Sequence, residues 1–121
     1  MSGGGAIVVL VEDHEDTREI FTVALIAAGY RVYSVATYDE ARGILDTLEV
    51  AVLVLDLGRE GAGLNYAAEV RRRPHRTCLI AVTGRALEQD RRELLFDAYI
   101  LKPCLPEHLV LAVERVLARR A

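Results

Sequence analysis

The chain has 121 residues and a formal net charge of −3 at pH 7; 52% of its residues are hydrophobic and 27% are charged. This length fits one domain, and the composition excludes a disordered or fibrous chain. The small net charge favours neither nucleic acid nor an anionic membrane surface as a partner. Because the chain shows no apolar run of bilayer length, no secretory signal and no disulfide framework, we expect a protein of the reducing cytoplasm.

Apolar runs alternate with helical patterns along most of the chain. Residues 1–5 read as a flexible glycine-rich leader, and residues 6–121 read as one domain. The run at residues 7–11 has no polar alternation, which is typical of a strand buried on both faces of a parallel sheet. Five predicted strands cover Ile7–Val11, Arg31–Val35, Ala51–Leu55, Cys78–Thr83 and Tyr99–Leu101.

Helical patterns separate these runs. The first predicted helix, Thr17–Ala28, ends before Gly29 and carries an apolar stripe made of Ile20, Val23, Ala24 and Ala27. The second begins at a capping box, Thr37–Glu40. The remaining helices are predicted at Leu64–Arg73, which Pro74 stops, at Ala86–Leu95, and at Pro106–Arg119.

Five βα units predict a doubly wound α/β fold with helices on both faces of a parallel sheet of strand order 2-1-3-4-5. In such a sheet the ligand crevice lies at the carboxyl ends of the first and third strands. The residues at the ends of the first, third, fourth and fifth strands are all polar and reactive: Glu12, Asp13, Asp56, Thr83 and Lys102. We therefore expect these side chains to share one crevice.

The chemistry of this set points to a phosphoryl group. Three carboxylates in one crevice repel each other strongly, so they need a cation or a raised pKa, and hard oxygen ligands favour Mg²⁺. Asp56, at the end of the central strand, is the best placed nucleophile. Lys102, the one lysine among fifteen basic residues, supplies a compact cation, and Thr83 supplies a hydroxyl for a hydrogen bond.

Four segments carry a family resemblance: VEDHEDTRE at residues 11–19, VLDLG at 54–58, VTG at 82–84 and DAYILKP at 97–103. In this order they resemble the receiver domains of response regulators in two-component signalling. The resemblance runs from Ala6 to about Arg119 and implies a flavodoxin-like fold similar to that of chemotaxis regulators. By it, residues 6–121 form a receiver domain.

The resemblance also implies roles for the residues. Asp56 is the phosphoacceptor, and Thr83, Lys102 and Tyr99 are the switch hydroxyl, the site lysine and the aromatic switch. Mg²⁺ would be bound by Glu12, Asp13, Asp56 and the carbonyl of Gly58, with Asp13 the more direct ligand of the acidic pair.

The implied partners are a histidine kinase or a histidine phosphotransfer protein as phosphoryl donor, and an output partner that the sequence does not name. We expect no direct contact with nucleic acid or membrane, no turnover of an external substrate, and no output domain. We interpret the run Arg71, Arg72 and Arg73 as cations at a helix end, where they interact favourably with the helix dipole. We also expect a cis Lys102–Pro103 peptide bond, which would direct Lys102 into the crevice.

Two departures from the family pattern affect the signalling surfaces. The loop after Asp56 has Glu60 near the position where family members usually carry proline. The stretch between Thr83 and Lys102 is shorter than the family norm by roughly one helical turn, and Leu95 replaces a glycine. These changes favour one alternative, a degenerate receiver that binds partners without phosphorylation, whereas the intact set of Asp56, Thr83 and Lys102 argues against it.

A second alternative is an aspartyl-phosphate hydrolase of the haloacid dehalogenase kind. That class needs an aspartate two residues after the nucleophile, where this chain has Gly58. The missing acid argues against turnover of external substrates.

Overall fold

A five-stranded parallel sheet of order β2-β1-β3-β4-β5 forms the centre of the protein, as predicted. The computed structural model describes residues 4–58, 61–85 and 95–120. The strands are β1 (Ile7–Val11), β2 (Arg31–Val35), β3 (Val52–Asp56), β4 (Cys78–Thr83) and β5 (Ala98–Leu101). The described helices are α1 (Glu15–Ala27), α2 (Tyr38–Thr47), α3 (Ala62–Arg71) and α4 (Pro106–Arg120). The helix predicted at Ala86–Leu95 lies outside the described residues, apart from Leu95.

Successive residues of the central strands face two separate hydrophobic clusters. In β3, Val52 and Val54 pack on the side of α1 and α4, whereas Leu53 and Leu55 pack on the side of α2 and α3. All four side chains are fully buried, and each such burial stabilises the fold by about 1.5–3 kcal/mol. A strand covered on both faces has no polar side, which explains the unbroken apolar run in the sequence.

Several element boundaries differ from the predicted ones by one or two residues. β3 lies one residue later than predicted, so that Asp56 is its last residue. α1 begins at Glu15, two residues early, because the side chain of His14 accepts a hydrogen bond from the Thr17 amide and caps the helix. The predicted cap of α2 is confirmed, since Thr37 Oγ1 accepts from the Glu40 amide at 3.2 Å.

The predicted buried stripe of α1 is wrong. Ile20 and Val23 are 54% and 61% exposed, and Phe21 and Leu25 fill the core instead. The helix is apolar on more than one side, and Phe21 is larger than any residue of the predicted stripe, so its burial removes more apolar surface from water. None of the described helices combines the length and apolarity needed to cross a bilayer.

Candidate functional site

The carboxyl edge of the sheet brings three carboxylates together, as the predicted topology requires. Glu12 and Asp13 follow β1, and Asp56 ends β3. β1 and β3 are paired neighbours with Val11 opposite Leu55, so their ends lie side by side. One carboxylate oxygen from each of the three residues lies within 4.8 Å of the others. This spacing suits a single cation bound between them.

Lys102 reaches this cluster from the end of β5. Its Nζ lies 2.8 Å from Glu12 Oε1 and 3.6 Å from Asp56 Oδ1. Its amide donates to the carbonyl of Thr83 at 2.8 Å, which continues the pairing of β4 with β5. The Lys102–Pro103 peptide bond is cis, as predicted. The structure therefore places the one lysine of the chain between two of the three carboxylates.

The acidic pair divides into a buried and an exposed member. The side chain of Glu12 is only 2% exposed, and its Oε2 accepts from the His14 amide at 3.2 Å. Arg18 Nη1 donates to the carbonyl of Glu12 at 2.8 Å, which fixes the backbone. Asp13 is exposed and lines a cavity with Asp56 and Gly58. This division fits Asp13 as the direct metal ligand and Glu12 as the partner of Lys102.

Burial and pairing act in opposite directions on the pKa values of Glu12 and Lys102. Burial raises the pKa of Glu12, although the hydrogen bond from Lys102 lowers it. Burial lowers the pKa of Lys102, but the bond to Glu12 and the negative charge of Asp56 outweigh it and raise the pKa above the ordinary value. Lys102 is thus a protonated cation at neutral pH.

Tyr38 is a site residue that the sequence analysis missed. Its hydroxyl, at the start of α2, donates to the carbonyl of Asp56 at 2.7 Å, and its ring stacks on Tyr66 with centroids 5.4 Å apart. Burial, followed by the charges of the site carboxylates, raises the pKa of Tyr38 to about 12. The hydroxyl therefore keeps its proton and remains a donor to the backbone of Asp56.

Gly63, in the first turn of α3, permits this contact. A Cβ at this position would lie 2.7 Å from the backbone of Leu57 and 2.8 Å from the Tyr38 hydroxyl. Only glycine leaves room for α3 to approach the residue that follows Asp56. The sequence signal was this glycine in the stretch after the predicted nucleophile, but a glycine there also reads as a simple loop residue.

Thr83 and Tyr99 meet at the backbone of Arg85. Thr83 is buried and its Oγ1 accepts from the Arg85 amide at 3.3 Å, while the Tyr99 hydroxyl donates to the Arg85 carbonyl at 2.6 Å. The pairing of Asp56 with Val82 puts Thr83 one residue beyond, on the strand next to the nucleophile. The structure thus brings both predicted switch residues to one turn. Glu60, the altered loop position, lies outside the described residues.

The cavity beside Asp56 has room for a small anion. It encloses about 290 Å³ and is lined by Asp13, Asp56, Gly58 and Tyr38, among others. Gly58 adopts a left-handed conformation with φ +66°, and its amide lies 3.4 Å from Asp56 Oδ1. The carboxylates of Asp13 and Asp56 can therefore hold a cation at this cavity, and Asp56 lines the space that an incoming phosphoryl group would enter.

Curated proteins similar to the chain are regulators. The aerobic respiration control protein ArcA of Escherichia coli K12 is 30% identical over 116 residues, 93% of this chain and 48% of that protein. The transcriptional regulatory protein GltR of Pseudomonas aeruginosa is 30% identical over 125 residues, 98% of this chain and 52% of that protein. The chain thus spans about half the length of these relatives. Since relatives are named as transcriptional regulators, they do not support our expectation of no direct contact with nucleic acid.

Solved structures share the fold. A response regulator receiver domain (CheY-like) from Methylobacillus flagellatus has a TM-score of 0.80 at 24% identity, covering 97% of this chain and 99% of that one. The receiver domain of the Francisella response regulator 1452 has a TM-score of 0.86 at 16% identity, covering 97% and 100%. The family model of the response regulator receiver domain matches residues 8–114. The chain therefore belongs to the receiver domains of two-component response regulators.

Proposed function

We propose that Asp56 accepts a phosphoryl group from a histidine kinase or a histidine phosphotransfer protein. The observation that carries this proposal is the position of its carboxylate, which ends the central strand, is 16% exposed and lies 3.6 Å from the ammonium of Lys102. An oxygen of Asp56 attacks phosphorus, and the bond from phosphorus to the donor's imidazole nitrogen breaks. The nitrogen keeps the electron pair and takes up a proton, and an acyl phosphate remains on Asp56.

Among the side chains at the site, Lys102 supplies the positive charge for this transfer. Charge on a transferring phosphoryl group spreads over three oxygens, so catalysis is mostly positioning and neutralisation. Lys102 is protonated and held by Glu12 at 2.8 Å, within reach of the Asp56 carboxylate and of a group bound to it. Its ammonium is a compact point charge, which differs from a planar arginine fork where geometry is tight.

The residues at the site fit Mg²⁺. Asp13, Asp56, Glu12 and the carbonyl of Gly58 offer hard oxygen ligands, and the three carboxylate oxygens lie within 4.8 Å of one another. When bound there, Mg²⁺ would neutralise the carboxylates and the phosphoryl oxygens. Burial of Glu12 and its bond to Lys102 make Asp13 and Asp56 the more direct ligands.

Thr83 and Tyr99 form the proposed switch. A phosphoryl group on Asp56 would attract the hydroxyl of Thr83, which now accepts from the Arg85 amide. Tyr99 is held by its hydrogen bond to the Arg85 carbonyl, so an inward turn of its ring must break that bond. Movement of the Arg85 turn therefore links the two residues, and phosphorylation would stabilise a conformation already accessible to the free protein.

Labelling with acetyl phosphate and Mg²⁺, read by intact mass, tests the proposal. We expect the wild-type protein and the Asp39→Asn control, whose carboxylate is on the surface of α2, to gain one phosphoryl group. Asp56→Asn should gain none, because an amide is a poor nucleophile. Equal labelling of Asp56→Asn would assign the acceptor elsewhere, and no labelling of the wild type would favour the degenerate receiver.

A further inference from the structure

The amino end of the sheet, opposite the acidic crevice, holds a second and larger cavity. It encloses about 500 Å³ between the last turns of α3 and α4 and the start of β4. Four arginines line it: Arg71, Arg76, Arg119 and Arg120, with His75 beside them. Asp97 is the only carboxylate among the lining residues in the described part of the chain. We call this cavity the arginine pocket.

Hydrogen bonds hold three of these arginines in place. Arg71 donates to the Leu95 carbonyl at 2.8 Å and to Asp97 Oδ2 at 3.0 Å. Arg119 donates to the carbonyl of Asp97 at 3.1 Å, and Arg120 to that of Ala51 at 3.3 Å. A guanidinium has five N–H donors, so these bonds use only part of each one's capacity. The fixed side chains lose little further entropy when an anion binds.

The helix ends explain only part of this positive charge. α3 and α4 both point their carboxyl ends at the pocket, and the partial negative charge of a helix end favours a nearby cation. Four guanidiniums against one carboxylate exceed what two helix ends offset. Asp97 is also shared, because its carboxylate accepts from the Leu79 amide at 2.8 Å as well as from Arg71. In a chain of net charge −3, this local excess of positive charge points to a bound anion.

We propose that the arginine pocket binds a small anion that carries two or more phosphate groups, such as a diphosphate or a nucleoside polyphosphate. Arginine forks match phosphate oxygens bidentately, and several forks around one cavity favour more than one phosphate group. The volume falls in the range of small-molecule sites, about 300–1,000 Å³. Because the pocket uses none of the residues around Asp56, this site is independent of phosphoryl transfer.

Isothermal titration with pyrophosphate, in EDTA and at constant ionic strength, tests the proposal on the whole chain. We expect saturable binding to one site, weakened about tenfold by Arg76→Gln, since a charge-assisted hydrogen bond is worth more than about 1.4 kcal/mol. Arg76 is exposed and forms no hydrogen bond or ion pair with the described residues, so the fold should tolerate this change. The control is Arg31→Gln, at the exposed start of β2 on the far edge of the sheet, which should bind as the wild type does.

Two results would overturn the proposal. One is binding that does not saturate, or that Arg76→Gln and Arg31→Gln weaken equally, which would mean diffuse attraction to surface arginines. The other is tight binding of a short duplex DNA that pyrophosphate does not displace, which would make the arginines part of an extended surface for nucleic acid. Matched melting temperatures of the variants confirm that each is folded.

Discussion

The two ends of the sheet concentrate opposite charges, and the protein stabilises them in different ways. At the carboxyl end, three carboxylates lie close together, and the one lysine contacts two of them, with its Nζ 2.8 Å from Glu12. At the amino end, four arginines and one carboxylate, Asp97, line one pocket, and three of the arginines bond mainly to backbone carbonyls. Like charges in one cluster repel, so each end is incompletely neutralised by the residues around it. Each end therefore offers a place for a counterion of the opposite charge: a cation among the carboxylates and an anion among the arginines.

The ends also differ in packing. At the carboxyl end, Glu12 is buried and Tyr38 and Gly63 pack against the residues that follow β3. At the amino end, the arginines of the pocket are half-buried or exposed. A change at the carboxyl end should therefore cost more stability than a change at the amino end, because buried groups have few ways to relax.

The largest effect is expected from removal of the lysine. Lys102→Met leaves the buried carboxylate of Glu12 without its partner, which should lower the free energy of unfolding by about 3 kcal/mol. Urea denaturation measures this loss. In the double variant with Glu12→Gln most of the loss should disappear, because an amide carries no charge to neutralise. A double variant as unstable as Lys102→Met would contradict the buried ion pair.

A matched pair of glycine substitutions tests the packing near Asp56. Gly63→Ala should lower the free energy of unfolding by about 1–3 kcal/mol, because its Cβ meets the backbone of Leu57 at 2.7 Å. Gly43→Ala, in α2 with nothing within 4 Å of the added Cβ, should raise it by about 0.5–1 kcal/mol. Urea denaturation of both variants gives the comparison. Equal effects would mean that α3 does not approach β3 as closely as described.

The exposed Asp13 should contribute more to Mg²⁺ binding than the buried Glu12. Asp13→Asn removes one charge next to the cation, which even under strong screening should weaken Mg²⁺ binding by about tenfold. Titration calorimetry measures the affinity, with Asp16→Asn in the exposed first turn of α1 as the control. Unchanged affinity in Asp13→Asn would show that the assignment of the acidic pair is wrong.

The smallest effect is expected from the tyrosine that the sequence analysis missed. Tyr38→Phe removes the hydrogen bond to the carbonyl of Asp56, at a cost of about 1 kcal/mol in the free energy of unfolding. Because that bond fixes the end of β3, labelling by acetyl phosphate should also slow, whereas Tyr33→Phe on β2 should label at the wild-type rate. A stability loss with no change in labelling rate would make Tyr38 a structural residue only.

The sequence analysis predicted the carboxyl end well because two simple rules act there. Apolar runs locate the strands, and the order of a doubly wound sheet decides which strand ends are neighbours. Glu12, Asp13 and Asp56 each end a strand or follow it within two residues, so their meeting needs no knowledge of side-chain packing. Lys102 joins them for the same reason.

The same rules say little about faces and distant contacts. α1 is apolar on more than one side, so periodicity alone does not show that Phe21 is buried and Ile20 exposed. Tyr38 reaches Asp56 from a helix start eighteen residues earlier in the chain. The arginine pocket combines residues near positions 71, 97 and 119. Such contacts depend on how the helices pack on the sheet, which local sequence patterns do not determine.

The most direct test of the central claim is to locate the phosphoryl group. Borohydride reduces an acyl phosphate to an alcohol, so reduction of the labelled protein converts the modified aspartate to homoserine, which peptide mass spectrometry identifies by position. Our account predicts homoserine at position 56 alone, in the peptide that spans β3. Homoserine at position 13 instead, or in no peptide of a protein that has gained a phosphoryl group, would contradict it.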